Sequence, residues 1–385
     1  MPVTGATAEW FLLVTSRNPL LPRQGFSPQA VDIDRRWGPF RGLPVTWMRA
    51  AGRAERRGPV VVWTKWSYMD HWVTETPQGP QPPSFNRAYM DRYIKQLSAL
   101  GFTGFDTFFF YLPFYAGMYG GVPGFERFLR DNGFDKITGI FSAYPSATKY
   151  TAPHVRETHD RIVADCTTTL RMCEGLTGVE NFIVMPTSTY YQTEPVTDDT
   201  IKVVADLWNR VGKLTLEQGM KTTCHFEFWG AIRTRPQLEL FFEYTDPEYV
   251  YFFCDTAQHT IAGVDPIQMF RDYSDRCTGF HFKDTKNVDE HEAYRTPPDP
   301  ELMAPQVTRW FYEMGEGGLV DFPALMKEIV ASGYDGWLTV EHDKAELGGG
   351  SYAEATAVAK WYIDNVLAEA EARSELSGSI QGARR

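Results

Sequence analysis

Apolar, β-branched and aromatic residues fall along most of this chain in short runs, separated by longer stretches whose apolar positions recur every three or four residues. The runs are Val60–Trp66, Phe105–Tyr111, Ile137–Phe141, Phe182–Met185, Thr222–Phe228, Tyr249–Cys254, Gly279–Phe282 and Trp337–Val340. Each has strand length, and near-continuous apolar character marks a strand covered on both faces, as in a parallel sheet. The stretches Arg87–Leu100, Phe125–Asn132, His154–Cys173, Thr200–Gln218, Pro236–Tyr244, Pro266–Tyr273, Pro323–Ser332 and Tyr352–Glu371 read as helices. Proline in the first turn (Pro236, Pro266) and glycine after the last (Gly101, Gly219, Gly333) mark their ends. Strands that each precede a helix predict a single closed (β/α)8 TIM barrel, because an open sheet of that size would leave bare edges.

The rhythm spans 58–371, the expected catalytic barrel. Residues 1–57 show no sustained period, scatter Pro19, Pro22, Pro28 and Pro39, and are Arg-rich from Arg49 to Arg57, so an irregular N-terminal extension is expected. The Ser-, Gly- and Arg-rich residues 372–385 are expected to be a flexible tail.

Composition narrows the field. With 43% hydrophobic and 15% aromatic residues, disorder or low complexity is excluded as the main state. A formal net charge of −11 offers no field for phosphates, so nucleic acid is not an expected partner. No apolar run approaches the roughly 20 residues of a membrane span. Met1–Arg17 lacks the basic start of a signal peptide, so a cytoplasmic protein is expected. Cys166, Cys173, Cys224, Cys254 and Cys277 are odd in number and lack CxxC spacing, which fits buried reduced thiols.

In a TIM barrel the chemistry sits at the C-terminal ends of the strands. The fifth run ends Cys224-His225-Phe226-Glu227 and the sixth leads into Asp255-Thr256-Ala257-Gln258-His259. The seventh reads His281-Phe282-Lys283-Asp284 and the eighth ends Val340-Glu341-His342-Asp343. The mouth is therefore expected to gather Glu227, Asp255, His281 and Glu341. Singly, an acid at a strand end is as readily a helix cap or ion-pair partner, and a lone histidine a core residue. On successive strands they point to a divalent ion, because crowded carboxylates without one would raise each other's pKa. Three carboxylates and one imidazole suit Mn2+, with Mg2+ or Co2+ as alternatives, better than zinc. His225 shares a face with Glu227 while the strand stays regular, as a candidate acid/base or as a hydrogen-bonded core residue.

Together, Asp255-Thr256-Ala257 with Gly263 and Asp265-Pro266, His281-x-Lys283-Asp284, Gly315-Glu316-Gly317 before Val320-Asp321-Phe322, and Glu341-His342-Asp343 resemble the xylose-isomerase-like barrels, also called the sugar phosphate isomerase/epimerase superfamily. The resemblance implies a Mn2+- or Mg2+-type site held by Glu227, Asp255, His281 and Glu341, with Glu227 and Glu341 exchanging the substrate proton. Under it, Lys283 holds a substrate oxygen or pairs with a neighbouring carboxylate. Glu316 contacts substrate or serves only its glycine-bracketed turn. One departure concerns the family's substrate-binding histidine, three residues after the aspartate; here that position is Gln258, and His259 follows. Alternate facing lets only one point inward: Gln258 as a neutral donor, which is preferred, or His259 after a local shift.

The implied chemistry is removal of a proton alpha to the carbonyl of a keto sugar or glycoside, followed by epimerisation, isomerisation or β-elimination. Gly348-Gly349-Gly350 is flanked by Asp343 and Glu346 and makes a poor phosphate anchor, so a non-phosphorylated substrate is expected. Phe108 to Tyr115, with Trp63, Trp66, Tyr68 and Trp72, offers a stacking surface for sugar or aryl rings, ordinary packing, or an oligomer interface. Within the family resembled, the alpha subunits of bacterial C-glycoside deglycosidases fit first. They expel an aryl group from a 3-oxo-glycoside with a small beta subunit, and an oligomer is expected. Inosose dehydratases and ketose epimerases or isomerases are the alternatives. From another class, the alternative is a non-catalytic binding or scaffold barrel.

Overall fold

The computed structural model describes residues 65–69, 74–76, 79–81, 87–142, 152–187, 196–290, 310–342 and 352–370. The expected extension 1–57 and tail 372–385 lie outside the described residues, as do Trp63, Trp72, Asp343, Glu346 and Gly348 to Gly350.

Parallel strands close into a barrel: β1 (Lys65–Met69), β2 (Gly104–Phe108), β3 (Lys136–Phe141), β4 (Asn181–Val184), β5 (Lys221–His225), β6 (Val250–Asp255), β7 (Cys277–Phe282) and β8 (Trp337–Val340). Each pairs with the next, and β8 closes the ring on β1 through Lys65↔Trp337 to Tyr68↔Val340. The outer layer includes α1 (Arg87–Ala99), α2 (Leu112–Tyr119), α3 (Val122–Asp131), α4 (His159–Met172), α5 (Asp198–Leu216), α6 (Arg235–Tyr244), α7 (Thr256–Ile261), α8 (Pro266–Tyr273), α9 (Phe322–Ser332) and α10 (Tyr352–Tyr362). No helix among the described residues is long and apolar enough to cross a membrane.

Local signals explain most boundaries. Asp265 and Asp321 cap α8 and α9, with proline in the first turn of each, and Gly333 ends α9 in the left-handed region at φ 73°. Two expected strands prove shorter. The second stops at Phe108, where Phe109–Tyr111 forms a 3-10 turn and Pro113 enters the first turn of α2. That helix is apolar on all sides and so leaves no period in the sequence. The fifth stops at His225, short of Phe228.

Alternation along the strands divides two environments. Phe105, Phe182, Cys224, Phe252, Phe280, Leu338 and Val340 belong to the large core shared with the helices. Full burial of each large side chain contributes about 1.5–3 kcal/mol. The opposite parity faces the barrel axis, where Phe141, Ile183, Met185 and Phe253 form a separate cluster. His225, Asp255 and His281 fall on that inward parity, and Glu341 continues it from β8. The pattern fixes their direction before any contact is considered.

Candidate metal centre

β6 ends at Asp255, and the chain turns directly into α7. Asp255 Oδ1 caps that helix by accepting the Gln258 backbone N–H at 2.7 Å. Its other oxygen, Oδ2, lies 3.1 Å from His225 Nε2 and 3.1 Å from Lys283 Nζ. On β7, His281 Nδ1 lies 3.0 Å from Glu341 Oε2 and 3.8 Å from Asp255 Oδ2. Lys283 Nζ is also 2.8 Å from Glu341 Oε2 and sits 4.2 Å over the Phe311 ring. The Thr256 hydroxyl accepts the Lys283 N–H at 3.0 Å, tying the start of α7 to the end of β7.

Donor atoms of His225, Asp255, His281 and Glu341 all lie within 4.8 Å of one another, and all four residues are buried. Two imidazoles and two carboxylates make a donor set for a borderline divalent ion. A second observation agrees: both ring nitrogens of His281 are buried, with only carboxylates facing them, Glu341 at 3.0 Å from Nδ1 and Asp106 at 3.8 Å from Nε2. Such atoms are costly unless something takes their proton or lone pair.

Burial pulls the His225 pKa down, but the carboxylates of Glu227 and Asp255 outweigh it and push the imidazole up to about 10. His281 is likewise raised: burial opposes, and the nearby Glu341 and Asp106 carboxylates prevail. Burial raises Asp255, yet Lys283 and His225 hold it below the usual carboxylate range. Glu227 is raised by burial, which outweighs its attraction to His225.

The expected residues divide. Asp255, His281 and Glu341 converge. Their β5 companion in the four-donor group is His225. Glu227 lies two residues beyond β5, with Oε1 at 3.1 Å from His225 Nδ1 and Oε2 accepting from the Gln258 side-chain amide. The second imidazole also removes the argument, made from a nitrogen-poor set, that disfavoured zinc. Gln258 faces the site, and its Oε1 accepts the Phe228 N–H at 3.0 Å. His259 turns away against Phe252, with ring centroids 5.5 Å apart, and burial lowers its pKa to about 4. Glu316 is exposed. Its loop is anchored by Asp284, whose carboxylate accepts from the Gly318 N–H at 2.9 Å and the Val320 N–H at 3.1 Å. A Cβ on Gly318 would lie 2.2 Å from that carboxyl group, so the loop needs glycine there.

Two further features leave little trace in the sequence. Arg233 and Asp289 form a buried ion pair at 2.8 Å, joining the segment after β5 to the segment after β7. Asp106, buried inside the barrel on β2, lies 3.8 Å from His281 Nε2. Its signal was a charged residue in the middle of a buried strand. The aromatic mouth is partly accounted for. Phe108 stacks on Phe110 at 5.0 Å and meets Phe141 at 5.3 Å, and Phe141 lies 5.2 Å from the His225 ring.

Comparison with known proteins agrees with this architecture. The xylose isomerase-like TIM barrel family matches residues 94–363. An inosose dehydratase from Lacticaseibacillus casei is 30% identical over 173 residues, 44% of this chain and 56% of the relative. The chain thus spans about half the length of the curated relatives it matches. A sugar phosphate isomerase/epimerase from Parabacteroides distasonis superposes with TM-score 0.55 at 18% identity, covering 85% of this chain and 99% of that one. The IolI protein, solved with a bound zinc atom, gives TM-score 0.60 at 14% identity, covering 80% and 99%. At these identities the structural likeness is one of fold.

Proposed function

The chain belongs to the xylose isomerase-like TIM barrel family, and from that premise we propose that it is a divalent-metal-dependent lyase acting on a keto sugar or oxidised glycoside. The observation that carries this reading is the meeting of His225, Asp255, His281 and Glu341 within 4.8 Å. They gather at the end of the barrel where such folds place their chemistry. In this reading those four side chains hold the ion. A divalent cation supplies Lewis acidity toward a ketone, making the neighbouring C–H acidic.

Glu227 is the proposed base, held in place by the Gln258 amide and by His225; Glu341 is the second carboxylate within the site. After proton removal the C–H electron pair becomes a C=C bond, and the β substituent leaves with its own bonding pair and takes up a proton, the one held by Glu227 or one from water, to depart as neutral aglycone or water. The Lys283 ammonium, between Asp255 and Glu341, offsets the negative charge that develops on substrate oxygen.

The partial likeness to inosose dehydratases supports elimination over epimerisation. The aromatic wall of Phe108, Phe110 and Phe141 supports an aryl-bearing substrate, hence cleavage of a 3-oxo-C-glycoside as the specific form. The proposal extends to Mn2+ as the preferred ion, on the family resemblance and not on the donor set, and to a small beta subunit as partner, an oligomeric assembly and a cytoplasmic setting.

The test is incubation of Mn2+-loaded protein with 3-oxo-glycosides, inososes and free ketoses in deuterated water. Release of aglycone or water supports elimination. Deuterium gained at a sugar carbon without release replaces it with epimerisation or isomerisation. Purified protein that takes up no divalent ion and turns over none of these substrates overturns the reading in favour of a binding or scaffold barrel.

A further inference from the structure

Asp106 lies in the middle of the barrel, on a strand that supplies none of the four proposed ion-binding side chains. It is 1% exposed, a carboxylate carried into the barrel interior. Several features of the fold exist around it. The pairing of β2 with β3 shifts register between Phe105 and Asp106, and such an irregularity re-aims a side chain. Across that pair stands Gly139. A Cβ there would lie 2.7 Å from Ile183 Cδ1 and 3.3 Å from Asp106 Oδ1, so a side chain would displace the end of Ile183 and crowd the carboxylate by a few tenths of an ångström. Hydroxyls on two different strands then pin both oxygens: Thr138 donates to Oδ1, and Thr339 donates to Oδ2 at 3.0 Å.

What this held carboxylate faces is the back of His281. Nε2 of that ring is 3.8 Å from Asp106 Oδ2, while Nδ1, on the opposite side of the ring, lies among Asp255 and Glu341. Both nitrogens are buried, and Nε2 has no hydrogen bond of ordinary length. A closure of roughly 1 Å brings Nε2 into hydrogen-bond range of Asp106. An imidazole that offers one nitrogen as a ligand carries its proton on the other, and a carboxylate behind it fixes both the tautomer and the ring orientation.

We propose that Asp106 is a positioning residue: it receives the Nε2–H of His281 and so keeps the Nδ1 lone pair directed into the donor group. The role rests on the ion-binding reading above. It predicts that the Asp106 carboxylate matters to ion affinity although it lies on the far side of the His281 ring from Asp255 and Glu341.

The experiment compares Mn2+ affinity, by competition with a fluorescent chelator at fixed pH, in the wild-type protein and in Asp106→Asn and Thr339→Val. Asp106→Asn is expected to weaken Mn2+ binding about 10–100-fold, the range for loss of a partner behind a metal-bound histidine. The chelator-treated variant should melt within a few degrees of the wild type. Thr339→Val keeps the carboxylate and should weaken binding less. A 15N spectrum of histidine-labelled, Zn2+-loaded wild type, assigned with His281→Gln, should show His281 protonated at Nε2. That spectrum decides the matter even if Asp106→Asn does not fold. An affinity within twofold of wild type in Asp106→Asn, or a proton on Nδ1 instead, overturns the role of Asp106 and leaves the ion site standing. Wild-type protein that binds neither Mn2+ nor Zn2+ overturns both.

Discussion

Loading Mn2+ into chelator-stripped protein should release protons, and the two imidazoles of the donor group determine how many. His225 is pushed up to about 10 by Glu227 and Asp255 despite its burial, and His281 is raised by Glu341 and Asp106. At pH 7 to 8 the stripped site therefore holds the His225 ring protonated and the His281 ring more readily protonated than a free imidazole, whereas an ion requires each to offer a lone pair. Every pH unit below a ring's pKa costs about a factor of ten in apparent affinity for that ring. Between pH 7 and 9 the logarithm of the affinity should accordingly rise with pH at a slope of at least about 1 from the His225 ring, with His281 adding to it at the lower end. The stability of the stripped protein should move the other way. A histidine whose folded pKa lies above its unfolded value of about 6.5 stabilises the fold fully below that value, and loses the contribution as pH rises toward about 10. Titration calorimetry in two buffers of different ionisation enthalpy reads the protons released. Melting curves with and without Mn2+ from pH 6.5 to 9.5 read the stability. An affinity that is flat over this range, or stripped protein that gains stability from its histidines as pH rises, refutes the electrostatic account of the site.

Three further outcomes follow from particular contacts. Glu341→Gln, which removes a donor from the group but keeps the side-chain shape, should lower turnover by about 10²–10⁴-fold with an unchanged far-ultraviolet spectrum; full activity would exclude Glu341 from the chemistry. Asp289→Ala leaves Arg233 as an unpaired charge in a buried setting and should cost about 3–5 kcal/mol in urea unfolding. A loss under about 1 kcal/mol would mean that water reaches the guanidinium. All five cysteines are buried thiols, and burial raises the pKa of each, Cys173 to about 12. A thiol reagent should therefore react with none of them in the native protein and with all of them in denaturant; rapid native labelling would contradict that burial.

Much of the architecture was legible in the order of residues, because the strands of a parallel barrel are covered on both sides and so stand out as apolar runs. Trp337–Val340 was legible to the residue, and Asp255, His281 and Glu341 announced themselves by ending or following such runs on the inward parity. Less visible were the elements without a period. α2 is apolar all round, and the apolar run through Tyr111 gives no sign that β2 has already stopped at Phe108.

The finer choices at the site depended on where each strand stopped. Alternation made Gln258 and His259 rivals for one inward position, but Asp255 caps a helix at once, and side chains after it rotate by about 100° per residue instead of flipping. Gln258, three residues on, folds back toward its cap, whereas His259 turns to Phe252. β5 ends at His225, which places the imidazole in the donor group and Glu227 beside it. Asp106 shows the same limit most plainly: its partner Thr339 is 233 residues away in the chain. Sequence fixes which side chains face inward, since that is a local periodicity. Which of them touch is set by barrel closure, register shifts and glycine gaps, and these exist only once the strands are assembled.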